Sequence, residues 1–290
     1  MPDPTLPAAR TVAELRAAVS AWRGAGRRVA LVPTMGALHE GHLSLVRLGK
    51  SKADHVVASI FVNPTQFAPG EDFEAYPRDE ARDAALLAGA GCDLLYAPTV
   101  AEMYPPGFST SVDVGGVSTP LDGLARPTHF AGVATVVTKL LLQCRPDVAI
   151  FGEKDFQQLL VIRRLARDLD LPVEILGGPT KRDVDGLALS SRNAYLSVEE
   201  RRVAGTLNLA LKTAAEALAA GAAVDSVEAE AKARIASAGF GSIDYVEVRA
   251  EDDLGRLGPG PLESPARIFV AARIGRTRLI DNWPVRTPVT

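Results

Sequence analysis

Short apolar runs alternate with stretches of helical periodicity along the first part of this chain. An apolar run between turn residues is typical of a strand buried on both faces, and apolar residues three or four apart are typical of a helix. Their alternation predicts the α/β class with a parallel sheet. The predicted strands are residues 29–32, 55–62, 93–96, 147–151 and 172–176. The predicted helices are residues 11–23, 79–90 and 131–144, with two more that begin near Gly41 and Gly152.

The pattern changes after Gly177-Gly178-Pro179, which predicts a domain boundary. We therefore expect two domains, residues 1–178 with the parallel sheet and residues 179–290 with a smaller α+β arrangement. Residues 1–10, which include three prolines, are predicted to form a loose arm. The elements predicted in the second domain are helices over residues 197–220 and 224–238 and strands over residues 243–248, 267–274 and 278–282.

The composition is that of an ordinary globular protein, with 290 residues of which 47% are hydrophobic and 23% charged. The net charge of −3 gives no reason to expect nucleic-acid or anionic-membrane partners. No apolar run reaches membrane-spanning length, and no signal peptide is apparent. Cys92 and Cys144 lie in or beside apolar stretches, which predicts buried free thiols in a reducing cytoplasm.

The strongest chemical signal is the turn at residues 33–42, Pro-Thr-Met-Gly-Ala-Leu-His-Glu-Gly-His. Pro33 is predicted to end a strand, and the two glycines allow the backbone to turn tightly and approach a ligand. His39 and His42 then lie at the start of a helix, where unpaired N–H groups and the dipole attract phosphate. His-x-Gly-His in this setting resembles the nucleotide-binding signature of the nucleotidyltransferase superfamily.

A zinc site and a pair of solvated helix-start histidines are the alternative interpretations of this turn. The spacing His-Glu-Gly-His differs from the His-Glu-x-x-His of zinc proteases. A chain with four histidines and two distant cysteines offers few further zinc ligands. The strand, the glycines and the helix together favour phosphate binding over two solvated side chains.

Polar residues also stand at the ends of other predicted elements. Asn63 and Gln66 follow the second strand, at the edge where open α/β sheets bind ligands, and are candidates to bond a small polar substrate. Asn-Pro is equally an ordinary turn starter. His129, within Arg126-Pro127-Thr128-His129, precedes a helix and either contacts an anion or satisfies the helix end.

Two charged turns complete the candidate set. Lys154 can act as a point cation on phosphate. Asp155 can orient Lys154, hold a metal or bond an adenosine group, whereas Glu153 and Asp155 are alternatively simple first-turn acids. Ser190-Ser191-Arg192 can clamp a polyphosphate, although this tripeptide is also common in surface loops.

Taken together and in this order, the motifs closely resemble those of the pantothenate synthetase family, the pantoate–β-alanine ligases. The resemblance covers nearly the whole chain beyond the N-terminal arm. The segments that carry it are residues 33–42, 61–67, 126–133, 151–158, 185–193 and 279–282.

The resemblance implies a Rossmann-like nucleotide- and pantoate-binding domain and a smaller C-terminal domain that closes over the site. It implies that pantoate and MgATP form pantoyl-adenylate, and that β-alanine then displaces AMP to give pantothenate for coenzyme A biosynthesis. It also implies that Mg²⁺ is held mainly through the ATP phosphates. Family members are usually homodimers, and no nucleic-acid or membrane partner is implied.

Site residues carry over by their positions in the motifs. For ATP the resemblance implies Met35, Gly36, Ala37, Leu38, His39, Glu40, Gly41, His42, Gly152, Glu153, Lys154, Asp155, Lys181, Leu189, Ser190, Ser191 and Arg192. For pantoate it implies Gln66 and Gln158, with Gln66 also near β-alanine. Asn63, Arg126 and His129 are further candidates for substrate binding from their positions in the sequence. For catalysis it implies His42 as proton donor. The further catalytic candidates are His39, Lys154, Ser190, Ser191 and Arg192, whose donor groups or positive charges suit phosphate. At Lys181 the family makes a mostly backbone contact to adenosine.

The chemistry of such a reaction fits these residue types. A carboxylate that attacks the α-phosphate must approach an anion, so the protein has to position the reactants and neutralise charge. Water must be kept from an acyl-adenylate, and residues 68–78 are a candidate lid on their length and glycine content.

Two functions of other classes remain as alternatives. A nucleotidyltransferase that adenylylates a phosphorylated metabolite shares the histidine turn, but it does not predict the amide residues Asn63, Gln66 and Gln158. A non-catalytic nucleotide sensor would tolerate loss of Lys154 or His42.

Overall fold

The computed structural model describes residues 6–286, which divide into two compact units. The first unit comprises the described residues up to Glu153 together with Gln157–Pro179. The second comprises Lys154–Phe156 and the described residues from Thr180 onward.

The first unit contains a six-stranded sheet in the order β1-β4-β3-β2-β5-β6, and every neighbouring pair of strands is parallel. The predicted α/β class with a parallel sheet is confirmed. The strands are β1 (Ala8–Ala9), β2 (Val29–Thr34), β3 (His55–Ile60), β4 (Leu94–Tyr96), β5 (Val148–Gly152) and β6 (Glu174–Gly178). The helices are α1 (Val12–Gly24), α2 (Glu40–Lys50), α3 (Glu80–Gly89), α4 (Val100–Met103), α5 (Asp122–Ala125), α6 (His129–Cys144) and α7 (Phe156–Asp168).

The central strand β2 is buried on both faces. Ala30 pairs with Val56 of β3 on one side and with Val148 of β5 on the other, and all three side chains are inaccessible to solvent. This burial explains why β2 and its neighbours are apolar runs rather than alternating patterns. Local signals fix where helices begin between the strands, as at Thr11, where a capping box starts α1 as predicted.

The predictions for β2 and for the N-terminal arm are wrong. Strand β2 continues through Pro33 to Thr34, because at Pro33 it pairs only with β3 and a residue without an N–H is tolerated there. Ala8 and Ala9, expected in a loose arm, form an edge strand paired with Leu95 and Tyr96 of β4. Residues 1–5 of the predicted arm lie outside the described residues.

The proline- and glycine-rich stretch before α6 contains the one-turn helices α4 and α5. Gly177 and Gly178, expected to mark a boundary, are the last two residues of β6 and pair with Phe151 and Gly152. The Cβ of any larger residue at Gly178 would lie 2.2 Å from Leu45 Cδ2, so helix α2 packs directly on this strand.

The second unit contains an antiparallel sheet in the order β7-β8-β9, as the predicted α+β arrangement requires. Its apolar core joins the sheet to the helices and includes Leu207, Leu211, Ile235 and Ile268. The elements are α8 (Val198–Ala204), α9 (Thr206–Ala219), α10 (Val224–Ser237), β7 (Ser242–Ala250), β8 (Ala266–Ile274) and β9 (Thr277–Val285).

The single helix predicted over residues 197–220 is two helices, α8 and α9, that meet at Gly205. A Cβ at Gly205 would lie 2.9 Å from Asp185 Oδ2, so a side chain here would crowd the Asp185 loop. The predicted capping box from Ser197 to Glu200 does start α8.

Both cysteines are buried free thiols, as predicted. Burial raises the pKa of Cys92 to about 11 and that of Cys144 to about 12. Within residues 6–286, no helix combines the length and the apolar character needed to cross a membrane.

Candidate active site

The histidine turn joins β2 to α2 at the carboxyl edge of the parallel sheet. Gly36 and Ala37 both adopt positive φ angles, 84° and 51° respectively. A Cβ at Gly36 would lie 3.1 Å from Asp83 Oδ2, which leaves little room for any larger residue. The turn therefore needs its glycine both for conformation and for this close approach.

Asp83, which was not among the predicted site residues, holds the histidine turn through its carboxylate. Its carboxylate is almost completely buried and accepts hydrogen bonds from the backbone nitrogens of Ala37 at 2.8 Å and Leu38 at 2.9 Å. A buried carboxylate needs such donors to offset its desolvation. The available signal was its position in α3, four residues before the buried Leu87, where an acidic residue is unexpected.

His39 and His42 form a capping box at the start of α2. His39 Nδ1 accepts from the Gly41 nitrogen at 3.1 Å, and His42 Nδ1 accepts from the His39 nitrogen at 3.4 Å. The two ring centroids lie 4.1 Å apart. A neutral imidazole that accepts at Nδ1 carries its proton on Nε2, so both rings are set as Nε2–H donors. Helix capping and phosphate donation are compatible roles here.

The Asn63–Gln66 segment follows β3, the strand next to β2, and forms one short 3₁₀ turn. Asn63 Nδ2 donates to Gln66 Oε1 at 3.1 Å, and Gln66 Nε2 lies 3.3 Å from Met35 Sδ in the histidine turn. The structure thus brings the predicted amide residues and the predicted nucleotide turn into direct contact. Neighbouring carboxyl ends of parallel strands explain this meeting.

Arg126 and His129 hold the backbone of the same segment. His129 Nδ1 lies 3.0 Å from the Gln66 carbonyl oxygen, and Arg126 Nη2 donates to that oxygen at 3.3 Å. Burial, with a smaller effect from the Arg126 charge, lowers the pKa of His129 to about 4. Arg126 also pairs with Glu71 at 2.6 Å. Their predicted contact with substrate stays a prediction, and the structure shows their internal partners.

Residues 68–78, the candidate lid, are packed in this structure. The ring of Phe67 contacts Phe73 and Tyr76 edge-on, at centroid distances of 5.4 and 6.2 Å. Arg78 donates to the carbonyl oxygens of Phe73 and Tyr76.

Two adjacent glutamines on α7 have different environments. Gln157 is buried and donates to the carbonyl oxygens of Val117 and Pro120 at 3.0 and 2.7 Å, so it is a structural residue. Gln158, the predicted pantoate ligand, is partly exposed.

Lys154 belongs to the second unit, where Asn282 fixes its backbone. Asn282 Nδ2 donates to the Lys154 carbonyl oxygen at 2.8 Å, and Arg267 Nη1 donates to Asn282 Oδ1 at 2.5 Å. The Arg267 guanidinium also stacks over Phe156, 3.8 Å from its centroid. Lys154 Nζ lies 3.7 Å from Asp155 Oδ1, close enough for Asp155 to orient it. Asn282 lies in residues 279–282, a segment that carries the family resemblance, but no role was predicted for it.

Ser190, Ser191 and Arg192 lie after a small hairpin in the second unit. Leu189 N donates to the Lys181 carbonyl oxygen at 2.9 Å, and Ser190 Oγ accepts from Arg192 N at 3.3 Å. Lys181 is exposed and is held there through its backbone.

The predicted catalytic residues are therefore divided between the units: His39 and His42 in the first, and Lys154, Ser190, Ser191 and Arg192 in the second. Gly152 and Glu153 lie at the end of β5 in the first unit. Glu40 is exposed and pairs with Arg47. In the part of the chain that the structure describes, no group of three or more His, Cys, Asp or Glu side chains could hold a metal ion.

Comparison with known proteins gives one family. The family model described as pantoate-beta-alanine ligase matches residues 8–284. The pantothenate synthetase of Caulobacter vibrioides is 64% identical over 277 residues, which is 95% of this chain and 97% of that protein. The pantothenate synthetase of Maricaulis maris is 55% identical over 283 residues, 98% of each chain.

Solved structures agree with this. The pantothenate synthetase of Thermus thermophilus matches with a TM-score of 0.91 and 48% identity, covering 98% of this chain and 100% of that one. A pantoate-beta-alanine ligase from Francisella tularensis, described as complexed with beta-gamma ATP and beta-alanine, matches with a TM-score of 0.81 and 33% identity. That match covers 96% of this chain and 97% of the other.

Proposed function

The chain belongs to the pantoate–β-alanine ligase family, and from this premise we propose that its ATP-dependent ligation passes through a pantoyl-adenylate. The reaction joins pantoate and β-alanine to give pantothenate. In the proposed route the pantoate carboxylate attacks the α-phosphorus of ATP and pyrophosphate leaves. The amine of β-alanine then attacks the acyl carbon, loses a proton and displaces AMP.

One observation carries the assignment of the site to this route. Gln66 Nε2 lies 3.3 Å from Met35 Sδ, so the candidate acid-binding amide and the candidate nucleotide turn adjoin. A carboxylate held by Gln66 would lie beside phosphates held by the turn, as in-line attack requires. Gln158 is proposed as the second amide that binds pantoate, and Gln66 is proposed to lie near β-alanine as well.

The first step needs stabilisation of charge on phosphate. His39 and His42 contribute Nε2–H donors at the start of α2, where the helix dipole favours an anion. Lys154 and Arg192 contribute positive charge, with Ser190 and Ser191 as hydroxyl donors. Gly152, Glu153, Asp155, Lys181 and Leu189 complete the proposed nucleotide contacts.

ATP is proposed to enter as its magnesium complex. Mg²⁺ retains several waters and is commonly held by one or two carboxylates together with substrate phosphates, rather than by a protein cage. That preference fits a chain whose described residues build no three-ligand cluster. Asp155 is the candidate protein carboxylate near the phosphates.

The second step needs β-alanine rather than water at the acyl carbon. Residues 68–78 are proposed as the segment that shields this carbon. Arg126 ties them to the Gln66 carbonyl, because it pairs with Glu71 at 2.6 Å and also donates to Gln66 O.

We also propose a cytoplasmic homodimer. Two buried free thiols suit a reducing compartment, and the family resemblance implies the dimer. Sedimentation velocity at micromolar concentration should give twice the chain mass of 30.6 kDa, and a monomer at that concentration would contradict the dimer.

Isotope exchange tests the adenylate directly. With MgATP and pantoate but no β-alanine, labelled pyrophosphate should exchange into ATP. Omitting pantoate is the control and should abolish exchange. Exchange that requires β-alanine would contradict the two-step route while leaving the overall ligation intact.

Membership of this family argues against the two alternative functions. Its members are ligases and synthetases, which excludes a non-catalytic sensor and gives no support to a nucleotidyltransferase that stops at the adenylate.

A further inference from the structure

Asn63 uses all of its side-chain hydrogen-bonding capacity inside the protein. Its Oδ1 accepts from Tyr104 OH at 2.7 Å, from Thr65 Oγ1 at 3.0 Å and from Thr65 N at 3.3 Å. Its Nδ2 donates to Gln66 Oε1 at 3.1 Å and to the Gly132 carbonyl oxygen at 3.2 Å. The side chain is also almost completely buried. An amide with three donors on its oxygen and two acceptors on its nitrogen has nothing left for a substrate.

These partners determine which way the amide points. Tyr104 OH and Thr65 N are donors, so the Asn63 atom that they face must be the oxygen. The Asn63 nitrogen then faces Gln66 and requires the Gln66 oxygen there. Gln66 is left with its NH₂ group directed away from Asn63, next to Met35 Sδ, which is only a weak acceptor.

We propose that Tyr104, acting through Asn63, is a positioning residue that sets Gln66 as a hydrogen-bond donor to the acid substrate. The subsite at Gln66 is then selective for a ligand that presents an oxygen acceptor, a carboxylate or hydroxyl oxygen, and rejects one that presents only donors. This inference rests on the proposed role of Gln66 in holding pantoate.

Tyr104 is itself held firmly. Its ring packs against Phe61 and Phe108, with centroids 6.1 and 5.1 Å away. Burial raises the pKa of the Tyr104 phenol, so the hydroxyl stays protonated and remains a donor.

Helix α6 closes the other side of the network. A Cβ at Gly132 would lie 2.4 Å from the Thr65 carbonyl oxygen, so only glycine lets the helix backbone reach Asn63. The carbonyl of Gly132 is therefore a fixed acceptor for Asn63 Nδ2. Together with Tyr104 it opposes reversal of the Asn63 amide.

The test compares two tyrosine-to-phenylalanine variants in the whole chain. Tyr104→Phe removes the bond to Asn63. Tyr96→Phe removes a bond of the same kind, from Tyr96 OH to Gln143 Oε1 at 3.0 Å, which involves neither Asn63 nor Gln66. We expect Tyr104→Phe to raise the KM for pantoate about three- to tenfold with the KM for ATP unchanged, and Tyr96→Phe to change neither. Equal changes in both KM values, or no change for pantoate, would overturn the proposal.

A second variant tests which end of the Gln66 amide faces the substrate. Asn63→Asp replaces the donor to Gln66 with an acceptor, so Gln66 must reverse and present its oxygen to the substrate. The KM for pantoate should rise at least as far as in Gln66→Ala, roughly 10- to 100-fold. A smaller rise than in Gln66→Ala would contradict the proposal that Asn63 sets the orientation of the Gln66 amide. If this variant does not fold, Tyr104→Phe decides alone.

The double variant Tyr104→Phe/Gln66→Ala separates positioning from structure. Its KM for pantoate should equal that of Gln66→Ala, because the group that Tyr104 positions is gone. A further three- to tenfold rise would show that Tyr104 acts elsewhere. If Gln66→Ala alone leaves the KM for pantoate unchanged, the proposed role of Gln66 in binding pantoate is wrong. That outcome is distinct from a failure of the positioning role proposed for Tyr104.

Discussion

Asp83 Oδ1 lies 2.9 Å from the backbone nitrogen of Leu38, and its second oxygen receives the adjacent Ala37 N–H. One buried carboxylate on helix α3 thus determines the path of the histidine turn. Its two bonds hold a segment that contains Ala37 at positive φ, a conformation that is unfavourable for a residue with a side chain.

Replacing this carboxylate should weaken both stability and adenylation. Asp83→Asn keeps one acceptor and turns an NH₂ group toward a backbone N–H, so we expect a loss of roughly 1.5–3 kcal/mol in the free energy of unfolding. The rate of pyrophosphate exchange should also fall in this variant. Asp79→Asn, at the N-cap of the same helix, retains its cap and should cost under about 0.5 kcal/mol. Urea denaturation and exchange rates check both, and native stability in Asp83→Asn would refute the assignment.

His42 takes part in a capping box and is proposed to act in catalysis, and one substitution separates the two roles. His42→Gln keeps an acceptor at the third helical position, where glutamine commonly completes a capping box, but it lacks the imidazole Nε2–H. Stability should stay within about 1 kcal/mol of the original. Single-turnover formation of pantoyl-adenylate should slow by about 10²–10³. Near-normal adenylation by the folded variant would remove His42 from the catalytic set.

Lys154→Ala should slow adenylation by a similar factor of about 10²–10³, because the cation that we propose at the phosphates is lost. Asn282→Ala frees the Lys154 carbonyl and should slow the same step in the original chain. It should have little further effect in the Lys154→Ala background, since residues that act as one unit are not additive. Thr277→Val, buried at the start of the same strand, is the control and should leave adenylation unchanged. Additive losses would mean that Asn282 serves stability alone.

His129 makes stability depend on pH in a defined window. Its folded pKa of about 4 lies below the ordinary 6.5, so the unfolded chain binds the proton first as the pH falls. The contribution of the neutral ring is complete above pH 6.5 and is lost toward pH 4, up to about 3 kcal/mol. Urea denaturation at pH 7, 6 and 5 should show a steeper decline for the original chain than for His129→Gln. Parallel declines would contradict a buried neutral histidine.

The sequence predicted the sheet well where the signal is local. Strands β2 and β3 are apolar runs, and the capping boxes at Thr11 and Ser197 lie within four residues of chain. Strand β1 carries no such pattern, because its two alanines become a strand only by pairing with β4. The break at Gly205 depends on the distant Asp185 loop and has no periodic signal either.

The same distinction between local and distant signals applies to the residues of the candidate site. Motif residues such as His39, His42 and Gln66 could be recognised because their neighbours in sequence are also their neighbours in space. Asp83, Tyr104 and Asn282 could not, because each acts on a group 46, 41 and 128 residues away respectively. Such contacts follow from the packing of whole elements, and no pattern near the residue in sequence identifies its partner.

The two-residue strand β1 also matters for solubility. It covers one side of β4, whose residues Leu94–Tyr96 are buried. An unpaired apolar strand edge is a template for pairing with another chain. A chain shortened to begin after Ala9 would expose that edge, and the aggregation of such a fragment would reflect the missing strand rather than any weakness of the enzyme's core.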